Sequence, residues 1–160
     1  MEKNKRACTL LLRLLALGAT ISATVVMVTS HQSSTFLNIS VDAKYQYTPA
    51  FKFFVVANVI GGVYSLLTLF LPQKSMLWRL VVALDVVVTM LLTAAVSAAA
   101  AIGYVGKKGN SHTGWLPVCN QFPKFCNHVT GALALGFCGV LVYMVILLSA
   151  IHMVLNPLLL

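Results

Sequence analysis

The chain has 160 residues, 59% of them hydrophobic and only 9% charged, and a formal net charge of +8. Its mean hydropathy is +0.91. Soluble domains carry about 25% charged residues, so this composition excludes a compact water-soluble fold and leaves one small membrane domain spanning residues 1–160.

Four apolar runs follow in chain order, about 8–29, 53–71, 80–105 and 129–154. Each is close to or above the ~20 residues that cross a ~30 Å hydrocarbon core. Lipid offers no hydrogen-bond partners to the backbone, so runs of this length must form helices that satisfy themselves. The expected fold class is all-α, a four-transmembrane-helix bundle with both termini on one side. The outer loops are then residues 30–52 and 106–128, and the inner loop is 72–79. A basic start before an apolar run also fits a cleaved signal peptide. The first run is too long for one and carries Arg13 near its start, so it reads as a retained span.

Lysine and arginine counts do not orient the bundle. Lys3, Lys5, Arg6, Lys74 and Arg79 lie on the side of the termini, against Lys44, Lys52, Lys107, Lys108 and Lys124 on the other, five against five. Two other signals do. Asn38 opens "NIS", a glycosylation acceptor pattern, in the first loop. Cys119 and Cys126 sit in the second loop on the same face, where an oxidising compartment permits a disulfide. With the basic "KNKR" before the first span, these place the N- and C-termini in the cytoplasm.

Charges are rare in the spans. Arg13 lies seven residues beyond Arg6, and Asp85 lies six beyond Arg79. At ~1.5 Å per residue both reach roughly 9–10 Å into helices that start from the same face. An unpaired charge there costs at least ~2.5–3.5 kcal/mol. The expectation is an ion pair that fixes the first helix against the third; the alternatives are a proton or ion relay, or an arginine that snorkels to the inner headgroups. Stripes of small and hydroxyl residues point both groups inward: Ala16, Thr20 and Thr24 beyond Arg13, Thr89 and Thr93 beyond Asp85. Further candidate packing faces are Asn58, Gly62 and Ser65 in the second helix, Ala132, Gly136 and Gly139 in the fourth, and the small run 97–101 in the third. They serve contacts within the bundle or between protomers.

In the second outer loop, "CNQFPKFC" separates Cys119 from Cys126 by six residues, with a proline to turn the chain. A disulfide is expected; the rival is a metal site with His112 and His128, at a spacing that matches no familiar zinc knuckle. Trp115, Phe122 and Phe125 are read as interfacial anchors or a binding surface. Cys138 is expected to pack inside the fourth helix. Cys8, beside the basic N-terminal patch, is a candidate palmitoylation site.

The pattern "GN", "W", "CNQFPKFC" leading into a small-residue helix resembles the second outer loop of the Casparian strip membrane domain protein (CASP) family. Arg13 and Asp85 match that family's first- and third-helix charges. "VDAKYQYTPAFKFFVVANVIGGVYSLL", Val41 to Leu67, is similar to the first subfamily of its CASP-like branch. The resemblance implies a MARVEL-like, multi-pass plasma-membrane protein of plants that forms homo- and heteromers. In the founding members it implies a scaffold that restricts lateral diffusion and positions lignin-depositing machinery. Residues Val41 to Phe51 depart from the founders' first outer loop.

The expected function is thus a non-catalytic scaffold. It would sit among membrane lipids, associate with itself and with family members, and display its outer loops to wall-side proteins or acidic polymers, which its basic charge would attract. A small channel or transporter gated by Arg13 and Asp85 is the alternative, although pores need several polar stations. Enzymatic chemistry is not expected, because no acid can be placed beside His31, His112, His128 or His152. There is no cofactor fingerprint and no nucleic-acid motif, and the basic charge is divided between two faces.

Overall fold

A computed structural model describes residues 2–36, 39–71 and 78–155 of the chain. Four long helices dominate it: α1 (Glu2–Val28), α2 (Pro49–Leu69), α3 (Trp78–Lys108) and α4 (Pro123–Leu155). All four are long and apolar enough to cross a membrane. Their outward faces carry large apolar side chains such as Leu11, Val25, Val63, Met90, Phe137 and Leu148. A continuous apolar skin of this kind is an aggregation hazard in water, and hydrocarbon is the solvent that suits it.

At several ends the helices run further than the apolar runs suggested. α1 and α4 each begin six residues before their expected starts at 8 and 129, and α3 extends three residues past 105. Backbone hydrogen bonding does not stop where the hydrocarbon does, so polar residues carry the helices on. Pro49 and Pro123 open α2 and α4, the position where a missing N–H and a fixed φ cost nothing.

Each helix packs against its neighbours in sequence, and α4 closes the ring against α1. The core runs along the inside. Ala16, Ala23 and Met27 come from α1, Phe54 and Ala57 from α2, Leu92, Ala95 and Ala99 from α3, and Ala132, Tyr143 and Ile146 from α4. Successive positions from Gly131 to Gly139 on α4 face Val26 and then Ala19 on α1. The two helices are therefore antiparallel, and the start of α1 and the end of α4 share one end of the bundle.

An all-α chain needs one correction. The segment expected to be a plain loop at 30–52 folds into an antiparallel hairpin, β1 (His31–Phe36) with β2 (Ile39–Lys44), in register from His31↔Lys44 to Phe36↔Ile39. A ladder across two six-residue strands satisfies backbone groups that would otherwise have to be solvated. Gly109 ends α3 at φ +71, where an added Cβ would lie 2.6 Å from the Trp115 carbonyl oxygen. Only glycine allows that turn, which closes on the Asn110↔Trp115 bridge.

Candidate functional site

The charged residues of α1 and α3 meet across the centre of the bundle. Arg13 Nη1 and Nη2 donate to Asp85 Oδ1 and Oδ2, each at 2.8 Å. Both residues are buried, Arg13 at 2% exposure and Asp85 at 0%. This two-pronged geometry is the strong form of a guanidinium–carboxylate contact. Arg13 therefore does not snorkel. A third partner completes the cluster. The Tyr64 hydroxyl on α2 lies 2.7 Å from Asp85 Oδ1 and 2.9 Å from the Val81 carbonyl oxygen. The Tyr64 ring also lies under the guanidinium, with Cζ 5.5 Å from its centroid, within cation–π range.

A second polar contact bridges the other diagonal. The Tyr143 hydroxyl on α4 donates to the Gly61 carbonyl oxygen at 2.5 Å and sits 2.6 Å from Ser65 Oγ on α2. One diagonal of the four-helix square is thus spanned by charge, and the other by a phenol. Neither tyrosine stood out in the sequence, because an aromatic residue inside an apolar run carries no periodic signature. Their only mark is a hydroxyl placed where lipid could not satisfy it.

The candidate packing faces of α2 and α4 turn inward. Asn58, Gly62, Ser65, Ala132, Gly136 and Gly139 are buried. A Cβ on Gly62 would approach Thr20 Oγ1 of α1 at 3.2 Å, and one on Gly136 would stand 2.7 Å from the Phe54 ring of α2. Asn58 Nδ2 donates to the Phe54 carbonyl oxygen at 2.8 Å, while its Oδ1 has no partner among the described residues.

The hydroxyl stripes are shorter than expected. Thr20 and Thr89 are buried, Thr24 is half-buried and Thr93 is exposed. Steps of four residues advance 400° along a 3.6-residue helix, so each step drifts about 40° off the core. Each threonine returns its hydroxyl to a backbone carbonyl four residues earlier, as Thr93 does to Thr89 at 2.7 Å. Of the run 97–101, only Ala99 is buried. Cys138 corrects its expected packed role: it is exposed on α4, on the opposite side from the buried positions Gly136, Gly139, Val140 and Tyr143.

At the loop end, Cys119 and Cys126 are joined in a disulfide with Cα atoms 5.6 Å apart. It ties a short 3₁₀ turn, Val118–Asn120, to the first turns of α4. Sulfurs bonded to each other leave His112 and His128 without the thiolates that a zinc site would need. Phe122 and Phe125 are buried beneath the loop, Phe125 tilted against Phe51 of α2 with ring centroids 6.2 Å apart. Trp115 and Leu116 stay exposed at the loop tip. The two loops also touch: Gln32 Oε1 of β1 accepts the Phe125 backbone N–H at 3.1 Å, taking up one of the orphan donors at the start of α4. Cys8 is exposed near the start of α1. Asn38 and Lys74 lie outside the described residues.

Two measurements follow from this end of the bundle. A Cys119→Ser/Cys126→Ser double variant frees a loop of about eight residues, which by loop-closure entropy costs about 2.5 kcal/mol. Limited proteolysis of the solubilised protein should then cut between α3 and α4 under conditions that leave the parent chain intact. Gln32→Ala removes one neutral hydrogen bond, worth about 1 kcal/mol. Amide exchange at Phe125 should quicken roughly fivefold on that figure, while exchange in mid-α4 stays unchanged.

A closed ring of four membrane-length helices, bolted by an internal ion pair and stapled at its loop end, defines a small multi-pass membrane protein. Residues 2–142 match the model of the Casparian strip membrane protein domain, and the chain belongs to that family. It is 62% identical over 153 residues to CASP-like protein 1C2 of Vitis vinifera, covering 95% of each chain. It is 56% identical over 159 residues to CASP-like protein 1C3 of Populus trichocarpa, covering 99% of this chain and 93% of the relative. With CASP-like protein 1C1 of Arabidopsis thaliana it shares 53% over 160 residues, 100% of this chain and 98% of that one. No solved structure matches it significantly.

Proposed function

We propose that this protein is a non-catalytic scaffold of the plant plasma membrane, with a MARVEL-like bundle, both termini in the cytoplasm and the hairpin and disulfide loop facing the wall. The observation that carries the reading is the mutual pairing of its two buried charges. Arg13 spends both terminal nitrogens on Asp85, and Asp85 also accepts from Tyr64. The layers beyond are closed by Phe54, Leu92, Ala99 and Met27, each at most 1% exposed. A path for ions wants polar stations in series, and these groups hold helices together instead. The polar surface left for partners is the pair of loops, which the Gln32–Phe125 contact joins while the disulfide closes the second of them.

On this reading the protein assembles with copies of itself and with its relatives, and its loops recruit wall-side proteins or acidic polymers. Asn38 would be glycosylated and Cys8 palmitoylated. Photobleaching of a fluorescent fusion in the native plasma membrane, with quantitative crosslinking, tests the assembly. Slow, incomplete recovery and crosslinked multimers are expected. Recovery at the rate of a freely diffusing four-span monomer, with no multimers, would contradict the scaffold. Ion or solute flux from reconstituted protein would do the same.

A further inference from the structure

We infer that the cleft between the loop-side ends of α3 and α4 is a seat for one anionic membrane lipid, with its phosphate at Lys107 and Lys108 and one acyl chain lying between the helices. The cleft measures about 310 Å³ and is walled by Ala100, Gly103 and Gly106 of α3 and Val129 and Leu133 of α4, with Phe51 of α2 behind them. That volume is at the lower edge of ligand sites, roughly 300–1,000 Å³. Gly106 lines the cleft beside open space, since an added Cβ there would meet nothing within 4 Å. Lys107, Cys119, Cys126 and Thr130 line both this cleft and an adjoining polar pocket of about 300 Å³, which adds Lys108, Asn120 and Asn127. The two spaces therefore form one site, apolar below and cationic above.

Depth and charge both select an amphiphile. α3 has 31 residues, about 46 Å at the usual rise, and so outreaches a hydrocarbon core of about 30 Å. Lys107 and Lys108 form its last turn and stand at headgroup level. Ala100 lies about 10 Å deeper, where the upper part of an acyl chain runs. Among the described residues no carboxylate pairs with either lysine; Asp42, the acid at this end, holds Lys44 at 3.2 Å. Two uncompensated cations over an apolar cleft complement a phosphate-bearing lipid. A soluble anion would leave the apolar wall unused.

Native mass spectrometry of the full-length, detergent-released protein tests this, using palmitoyl-oleoyl phosphatidylglycerol against phosphatidylcholine of the same chains. One phosphatidylglycerol should be retained, at least fivefold in preference to phosphatidylcholine. Lys107→Gln and Lys108→Gln should each weaken retention about fivefold. Gly106→Leu should abolish it, since it adds a bulky side chain to a residue that lines the cleft, and leucine is a better helix former than glycine. Ala100→Phe narrows the cleft from its deeper end and is the second occluding variant. Circular dichroism checks that both stay folded. Equal retention of the two lipids overturns the proposal. So does retention that depends on the lysines but ignores both occluding variants, and so does displacement by soluble polygalacturonate, which would assign the lysines to a surface polymer.

Discussion

Replacing Asp85 with leucine should cost the fold about 3–5 kcal/mol, the penalty for leaving a buried guanidinium without its partner. Arg13 sits at 2% exposure with both terminal nitrogens committed to that carboxylate, and the neighbouring Tyr64 hydroxyl is itself a donor to it. Removing both charges, as Arg13→Leu/Asp85→Leu, should recover most of the loss, because well-packed apolar replacements of a buried pair are often neutral or better. The measurement is the thermal midpoint of the monodisperse peak in detergent, together with accumulation in membranes. A double variant as unstable as the single one would show that the pair is not what holds α1 to α3. The exchanged pair, Arg13→Asp/Asp85→Arg, should recover only part. Tyr64 would then present its hydroxyl and ring to the wrong partners. If the pair serves only the fold, the double leucine variant should assemble like the parent chain.

The second large effect is expected at Gly136. A Cβ there would lie 2.7 and 2.8 Å from two carbons of the Phe54 ring and 3.3 Å from Val96 Cγ2, closer than real side chains tolerate. Phe54 is fully buried and has little room to withdraw. Gly136→Val should therefore destabilise by about 3 kcal/mol, at the upper end of overpacking in a closed core. Phe54→Leu in the same chain removes the ring carbons that collide and should return a large share of the lost midpoint. Gly139 is the internal control. Its added Cβ would meet Ala19 at 3.6 Å, an ordinary contact, so Gly139→Ala should move the midpoint far less. Equal damage at both glycines would mean that helix backbone effects, not the Phe54 contact, set the result.

Both predictions turn on residues visible in the sequence and on partners that were not. A lone aspartate and a lone arginine at matching depth ask for one another, since lipid leaves a charge few alternatives. The small residues of α2 and α4 likewise ask for close neighbours. Which neighbour was a matter of geometry. Gly62 meets α1, whereas Gly136 meets α2 across the diagonal. Spacing within one helix is silent on the angle at which another arrives. Tyr64 and Tyr143 were missed because their role depends on what stands opposite. Cys138 and Thr93 were misjudged because a residue's facing depends on phase accumulated over several turns, and an apolar run marks no phase when every face of it is greasy.

Composition and run length by themselves determined that this chain enters a membrane, that it does so four times, and which two charges go with it. The reason is the solvent: hydrocarbon penalises a bare backbone and an unpaired charge so heavily that few arrangements survive. Tertiary structure alone decided the ring order, the second polar bridge, the β-hairpin and the contact that joins it to α4. In those places water, lipid or another helix could each satisfy the same groups, and only packing selects among them.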